Sequence, residues 1–173
     1  LIGAMVSCTH SPDRKVTRAF YYWKSVYKPT QYEQQRLSEL KAQHTYLRLC
    51  DMDWNYHTSE PYPLAVVRLP STIPNTTTII PVVFVTQATL NNIARNKVTD
   101  LSLRIASIVQ TICTEAGINP TEVQIDCDWT STNKTTYFGL LRALKQHPYM
   151  AGKLLSCTIR MHQIKYTTGS GIP

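Results

Sequence analysis

Glycine is scarce in this chain, six in 173 residues, and no GxGxxG or GxxxxGK[ST] loop occurs. A doubly wound sheet that binds a nucleotide normally carries such a loop at its first strand–helix turn, where backbone N–H groups cradle phosphate. That class of site is therefore not expected. Five cysteines are present, Cys8, Cys50, Cys113, Cys127 and Cys157, but never as CxxC. Zinc-ribbon and thioredoxin-like chemistry is excluded on that ground. HExxH is missing too. Lysine and arginine outnumber aspartate and glutamate by 18 to 11, giving a net charge of +7, yet the basic residues are scattered. Without a dense run or a recognition motif the excess base does not make a nucleic-acid surface, and no nucleic-acid partner is expected. Past the first eight residues no stretch is apolar enough to span a bilayer.

The chain is 43% hydrophobic and 17% charged, which suits one core and about one domain. It opens with "LIGAMVSC" and continues polar. An apolar run closing on Ser-Cys resembles the end of a bacterial lipoprotein signal, with Cys8 as the lipidated residue. Residues 1–8 are thus expected to be the remnant of a signal and lipobox segment. Residues 9–18 then form a polar tether and 19–173 a single folded domain. The other four cysteines lie in apolar patterns and read as small buried hydrophobes.

Strand and helix patterns alternate from there. "AFYYWK" (19–24) is aromatic and strand-like. Thr30 and Glu33 have capping-box spacing after Pro29, so a helix begins there. "TYLRLCDMDW" (45–54) is a second strand. Residues 55–78 hold Pro61, Pro63, Pro70 and Pro74, which excludes a helix, and "LAVVRL" reads as a short extra strand. "TIIPVVFVT" (78–86) is a continuous apolar run of the kind buried on both faces of a parallel sheet. Leu101, Ile105, Ile108, Ile112 and Ala116 form a helical stripe that Gly117 stops. "EVQIDCDW" (122–129) is the fourth main strand. Ser131 or Thr132 can cap the next helix, whose apolar face is Tyr137, Leu140, Leu141 and Leu144. "KLLSCTIRMHQIKY" (153–166) is the fifth main strand.

This alternation is the pattern of α/β folds with parallel strands. A (β/α)8 barrel spends about 31 residues per unit, so five units at this spacing make a partial TIM-barrel-like fold with its C-terminal strands missing. Side chains alternate along a strand. Val123, Ile125, Cys127 and Trp129 share one face, and Gln124, Asp126 and Asp128 the other. Helices must cover the apolar side, which turns the acids inward. By the same parity Ser156, Thr158, Arg160 and His162 face inward from the fifth strand; the second offers Arg48 inside, with Asp51 and Asp53 at its C-terminal end. Asp126 and Asp128 then sit at strand C-termini, where barrel enzymes keep their sites, with Arg160 and His162 as partners. Two acids on one strand face could reach the spacing used by glycosidase carboxylate pairs.

At these residues the chain resembles two known groups. "VQIDCDWT" is similar to the fourth-strand signature of chitinase-like glycoside hydrolases, DGxDxDxE. Asp126 and Asp128 stand at its second and third acids, Thr130 at the catalytic Glu and Val123 at the first Asp. "FYYWK", "LRLCDMDW", "IIPVVFVTQATL", "VQIDCDWTSTNKTTYFGLLRALK" and "LSCTIRMHQIKY" together resemble an uncharacterised family of bacterial TIM-barrel-like proteins. That family is secreted or lipid-anchored and distantly glycoside-hydrolase-like. The resemblance implies an envelope location, further barrel strands beyond the C-terminus, and a carbohydrate ligand at the mouth of the barrel.

Three functions compete. A glycoside-hydrolase-like protein would use Asp126 and Asp128 on the sugar, Arg160 and His162 on its hydroxyls, and Asp51 or Asp53 as acid. A non-catalytic carbohydrate-binding lipoprotein would keep the fold and stack sugars on Tyr21, Trp23, Trp54 and Trp129. A metal-dependent hydrolase would gather Asp51, Asp53, Asp126, Asp128 and His162, ligand types suited to a hard or borderline cation. The first is preferred, with no cofactor and no bound metal. Membrane attachment would run only through Cys8.

Overall fold

The computed structural model describes residues 16–73 and 77–166; Cys8 and most of the tether lie outside them. The elements are strands β1 (Ala19–Tyr22), β2 (His44–Asn55), β3 (Glu60–Leu64), β4 (Thr78–Val85), β5 (Glu122–Asp126) and β6 (Leu154–Cys157), with helices α1 (Gln31–Glu39), α2 (Gln87–Asn92), α3 (Val98–Glu115), α4 (Lys134–Lys145) and α5 (Met161–Lys165). They make an α/β fold around one six-stranded sheet. Its order is β1-β2-β4-β5-β6, parallel at every step, with β3 antiparallel on β2. Each parallel strand is added on the same side of its predecessor. The reversal of order that marks a doubly wound sheet does not occur among the described strands.

Burial of one sheet face organises the rest. Leu47, Leu49, Cys50, Met52, Val83, Val85, Val123 and Ile125 pack against Leu101, Ile105, Val109 and Cys113 of α3 and Tyr137, Leu140 and Leu144 of α4. The helix stripes are those that the sequence spacing indicates. Tyr137 is fully buried, and its hydroxyl donates to the Ile125 carbonyl at 2.9 Å, so α4 is keyed to β5 by one polar contact in an apolar interface. α1 begins with the expected capping box: Thr30 Oγ1 accepts from the Glu33 N–H and Glu33 accepts from the Thr30 N–H. Gly117 follows α3 at φ +66°, the left-handed stop that glycine takes without strain.

Four local assignments change. The extra strand is "EPYPL", not "LAVVRL". It runs along the edge of β2 that short β1 leaves free, and an edge tolerates its two prolines. Ala65 at φ 50° then turns the chain out of the strand. The residue before α4 is Asn133, whose Oδ1 accepts from the Thr130 N–H rather than from the helix. α2, six residues long, follows β4 directly and is capped by Thr86; it is too short to carry a periodic signal. β5 stops at Asp126 and β6 at Cys157. The segment expected as strand through 166 becomes an irregular turn and α5, because the Arg160 N–H and carbonyl engage Gln163 and Ile164 instead of a neighbouring strand.

The register of β2 has one irregularity with consequences. Arg48 pairs with Val82 and Cys50 with Val83, so Leu49 is an extra residue. It forms a β-bulge, with Leu49 and Cys50 both buried. The free Leu49 carbonyl accepts from the Val67 N–H at 2.7 Å. Under strict alternation Arg48 and Asp51 would face opposite sides. The bulge brings them to one side, where Arg48 Nε donates to Asp51 Oδ1 at 2.6 Å and Nη2 donates to Oδ2 in a two-pronged ion pair. The pair is only 14% and 19% exposed. We expect Asp51→Ala to cost about 3 kcal/mol, because a nearly buried guanidinium loses its carboxylate, and Arg48→Met with Asp51→Leu to recover most of it. Urea unfolding of wild type and the two variants checks this; a single mutant within about 0.5 kcal/mol of wild type would mean that the pair does not hold the bulge.

Candidate functional site on the polar sheet face

Opposite the helices, register lines up the polar side chains in rows. Arg48, Val82, Gln124 and Ser156 form one row across four strands, and Asp51, Phe84 and Asp126 the next. Tyr21 and Tyr46 are paired from β1 and β2. These residues converge over the face. The Tyr21 hydroxyl donates to Gln124 Oε1 at 2.7 Å, although β1 and β5 are three strand steps apart, about 14 Å in a flat sheet. Side chains standing upright on a flat sheet do not meet across that gap, so this face is concave. Glu122 Oε1 accepts from Tyr46 at 3.1 Å and from Ser156 at 2.5 Å, which joins β2, β5 and β6 in the same way. Burial and the Glu122 charge push the Tyr46 hydroxyl up to about 12, fixing it as a proton donor at neutral pH.

The two aspartates that follow each other on the strand face have different partners. Asp126 Oδ1 accepts from the Thr158 hydroxyl. Burial raises its carboxyl above the usual aspartate range, opposed by that hydrogen bond and reinforced by the Asp128 charge. Asp128 lies past the end of β5. Its Oδ1 accepts from Arg160 Nε at 2.8 Å and from Nη2. This pair is 43% and 49% exposed, so Arg160 is not the buried partner that strand parity indicates. Asp53 accepts from the Thr86 hydroxyl at 2.8 Å, at the start of α2.

The remaining expected site residues separate into groups. Tyr21 and Trp23 stay on the concave face at 44% and 45% exposure, stacked at 5.7 Å, with Tyr21 also 5.0 Å from Tyr46. Arg48 Nη1 donates to the Trp23 carbonyl at 3.3 Å. Trp129 must be corrected. It is 4% exposed, stacked on Tyr137 at 6.2 Å and edge-on to Phe138 at 5.2 Å. It shares the helix-facing parity of Cys127 and belongs to the core. Trp54 also leaves the acids: it follows Met52 on the helix side and lines a separate cavity beside the β2–β3 hairpin. His162 falls in α5 rather than on β6, so strand parity does not place it with Arg160. Ile159 and Met161, which alternate with Thr158, Arg160 and His162 and so would face the helices in a continued strand, are exposed. Glu122, Tyr46 and Thr86 were not singled out from the sequence; continuing the parity of Gln124 and Arg48 by one step finds the first two.

Three of the described thiols are buried and held protonated, which makes them poor nucleophiles. Burial pushes Cys50 and Cys127 up to about 12 and Cys113 up to about 11. Among the described residues no three His, Cys, Asp or Glu side chains converge into a set that could hold a metal ion. Asp51, Asp53, Asp126 and Asp128 are spread over separate strands and partners, so the metal-hydrolase arrangement is not assembled by them. No helix among the described residues is long and apolar enough to cross a membrane.

Two outcomes follow for the aspartates. Asp128→Asn breaks an exposed ion pair and should cost less than about 1 kcal/mol. Asp126 has a folded-state pKa raised by burial, so its contribution favours the fold at low pH and is lost as pH rises through that value. Asp126→Asn stays neutral and can still accept from Thr158. It should therefore be more stable than wild type at about pH 7, and the gap should close by about pH 3. Urea midpoints at both pH values decide it; an Asn variant less stable at neutral pH would mean that Thr158, the Cys127 N–H and the Arg160 charge together outweigh burial. No protein-family model, curated protein or solved structure matches this chain.

Proposed function

We propose that the concave polar face binds a carbohydrate, and that the chain is a glycoside-hydrolase-like protein of the bacterial envelope whose sheet is an arc of a (β/α)8 barrel. The same-direction order of five parallel strands and the bond from Tyr21 to Gln124 across the face support the barrel arc. The observation that carries the ligand class is the half-exposed Tyr21–Trp23 stack standing on the same face as the Asp51–Phe84–Asp126 row. An aromatic platform takes the C–H face of a sugar ring, and carboxylates and amides at its edge take the hydroxyls. Gln124, Glu122, Asp126 and Asp128 supply that edge. The envelope location and the anchor at Cys8 rest on the N-terminal sequence, and the carbohydrate class draws further support from the likeness to the chitinase-like signature.

A binding role without hydrolysis is the second reading, and two features favour it. Thr130 stands where that signature has its proton donor, and it carries an exposed hydroxyl shared with Thr132 at 2.8 Å. Asp128 is neutralised by Arg160. Hydrolysis would then require Asp126, with its burial-raised carboxyl, to act as the acid.

Calorimetric titration with cello- and chito-oligosaccharides tests both readings. Trp23→Ala should weaken binding at least about tenfold, the loss of one stacked ring. Asp126→Asn should weaken binding or abolish release of reducing ends while the unfolding midpoint does not fall. Affinity unchanged in both variants would remove the concave face as the site. Binding without reducing-end release would select the non-catalytic reading.

A further inference from the structure

On the other side of the sheet lies a cavity of about 420 Å³, between the β2–β3 hairpin and the segment from the end of α2 to the first turns of α3. Its volume falls in the range of small-molecule sites. The apolar part is Trp54, Pro61, Ile93 and Leu101. Trp54 and Pro61 are register partners across the hairpin. Trp54 is partly buried against the core, which fixes the ring, and Leu101 is fully buried beneath.

The charged lining is matched within itself. Arg104 Nη2 donates to Glu60 Oε2 at 2.9 Å, and Arg104 Nη1 donates to the Pro61 carbonyl at 3.1 Å. Lys97 Nζ lies 3.1 Å from Asp100 Oδ2. Two cations and two anions sum to zero. An ion of either sign would have to compete with a pair already formed. A neutral ligand meets donors and acceptors side by side without breaking either pair. A ring hydroxyl both donates and accepts, so vicinal hydroxyls fit a guanidinium–carboxylate edge next to an indole floor. The Arg104 bond to the hairpin carbonyl also ties α3 to β3, so the two walls are joined before any ligand arrives.

We infer that this cavity is a second ligand site, taking one or two rings of a neutral saccharide stacked on Trp54, separate from the concave face. It stands on different residues and on the opposite side of the sheet, so it holds whether or not the concave face binds sugar.

Nuclear magnetic resonance titration of the whole chain is the test, because the indole N–H signals of Trp23 and Trp54 report the two faces separately. The probes are cellobiose, maltose and N,N′-diacetylchitobiose, with glucosamine, glucuronate and indole as cationic, anionic and hydroxyl-free controls. At least one neutral disaccharide should move the Trp54 indole signal, and the controls should bind at least about tenfold more weakly. Because Trp54→Ala also removes that reporter, it is read by calorimetry, where affinity for the same disaccharide should fall at least about tenfold. Should Trp54→Ala fail to fold, Glu60→Gln, at an exposed position, should weaken the same disaccharide at least about fivefold with Trp23→Ala leaving it unchanged. No movement of Trp54 with any neutral disaccharide overturns the inference. So does equal or tighter binding of a charged sugar or of indole, or an unchanged affinity in Glu60→Gln.

Discussion

Everything in this molecule depends on covering one side of a parallel sheet. α3 and α4 bury the row of Leu, Cys, Met, Val and Ile side chains on β2, β4 and β5. At about 25 cal/mol per Å² of apolar surface removed from water, that contact is the dominant favourable term, and it leaves no freedom over which way the strands face. Residues of the other parity are assigned to the opposite side whatever their chemistry. The polar face is therefore a consequence of the core. Once the core is fixed, Tyr46, Arg48, Glu122, Gln124, Asp126 and Ser156 are brought together from three strands far apart in sequence.

Polar groups gathered in that way need partners, and the ones they find lie across strands. Tyr21 reaches Gln124, Tyr46 and Ser156 reach Glu122, and Thr158 reaches Asp126. Such bonds draw the face inward and pre-position both donors and acceptors. The bulge at Leu49–Cys50 adds to this by turning Asp51 toward Arg48. A site built on strands and tied strand to strand is held more closely than one on loops. The exposed stack of Tyr21 and Trp23 is then the adaptable rim of a fixed polar floor.

The two sides of the sheet present different electrostatics. On the concave face Glu122 and Asp126 are satisfied by hydroxyl donors, and the cations Arg48 and Arg160 are each committed to one carboxylate. In the cavity beneath the hairpin every charge has a partner of opposite sign on the cavity wall. The chain's overall charge of +7 is thus not expressed at either place.

What the sequence determined by itself was periodicity. Period two on "EVQID" and period 3.6 on α3 and α4 decided which residues are core, because burial leaves a repeat that can be counted. Parity then placed Asp126 on the polar face and Trp129 on the covered side, although Trp129 was also expected to stack on a sugar, and Thr30 and Glu33 marked the start of α1 because a cap is a local hydrogen bond. Tertiary structure decided what is not periodic. The bulge, whose Leu49 carbonyl accepts from the Val67 N–H of a distant loop, inverted the parity of Asp51 relative to Arg48. β6 ended at Cys157 and its continuation became α5, so His162 left the strand. Trp54 went to a cavity of its own because the β3 hairpin, rather than a straight strand, occupied the free edge of β2. Local chemistry repeats along the chain and can be read there, whereas strand ends, bulges and cavities depend on which distant backbone groups are left to pair.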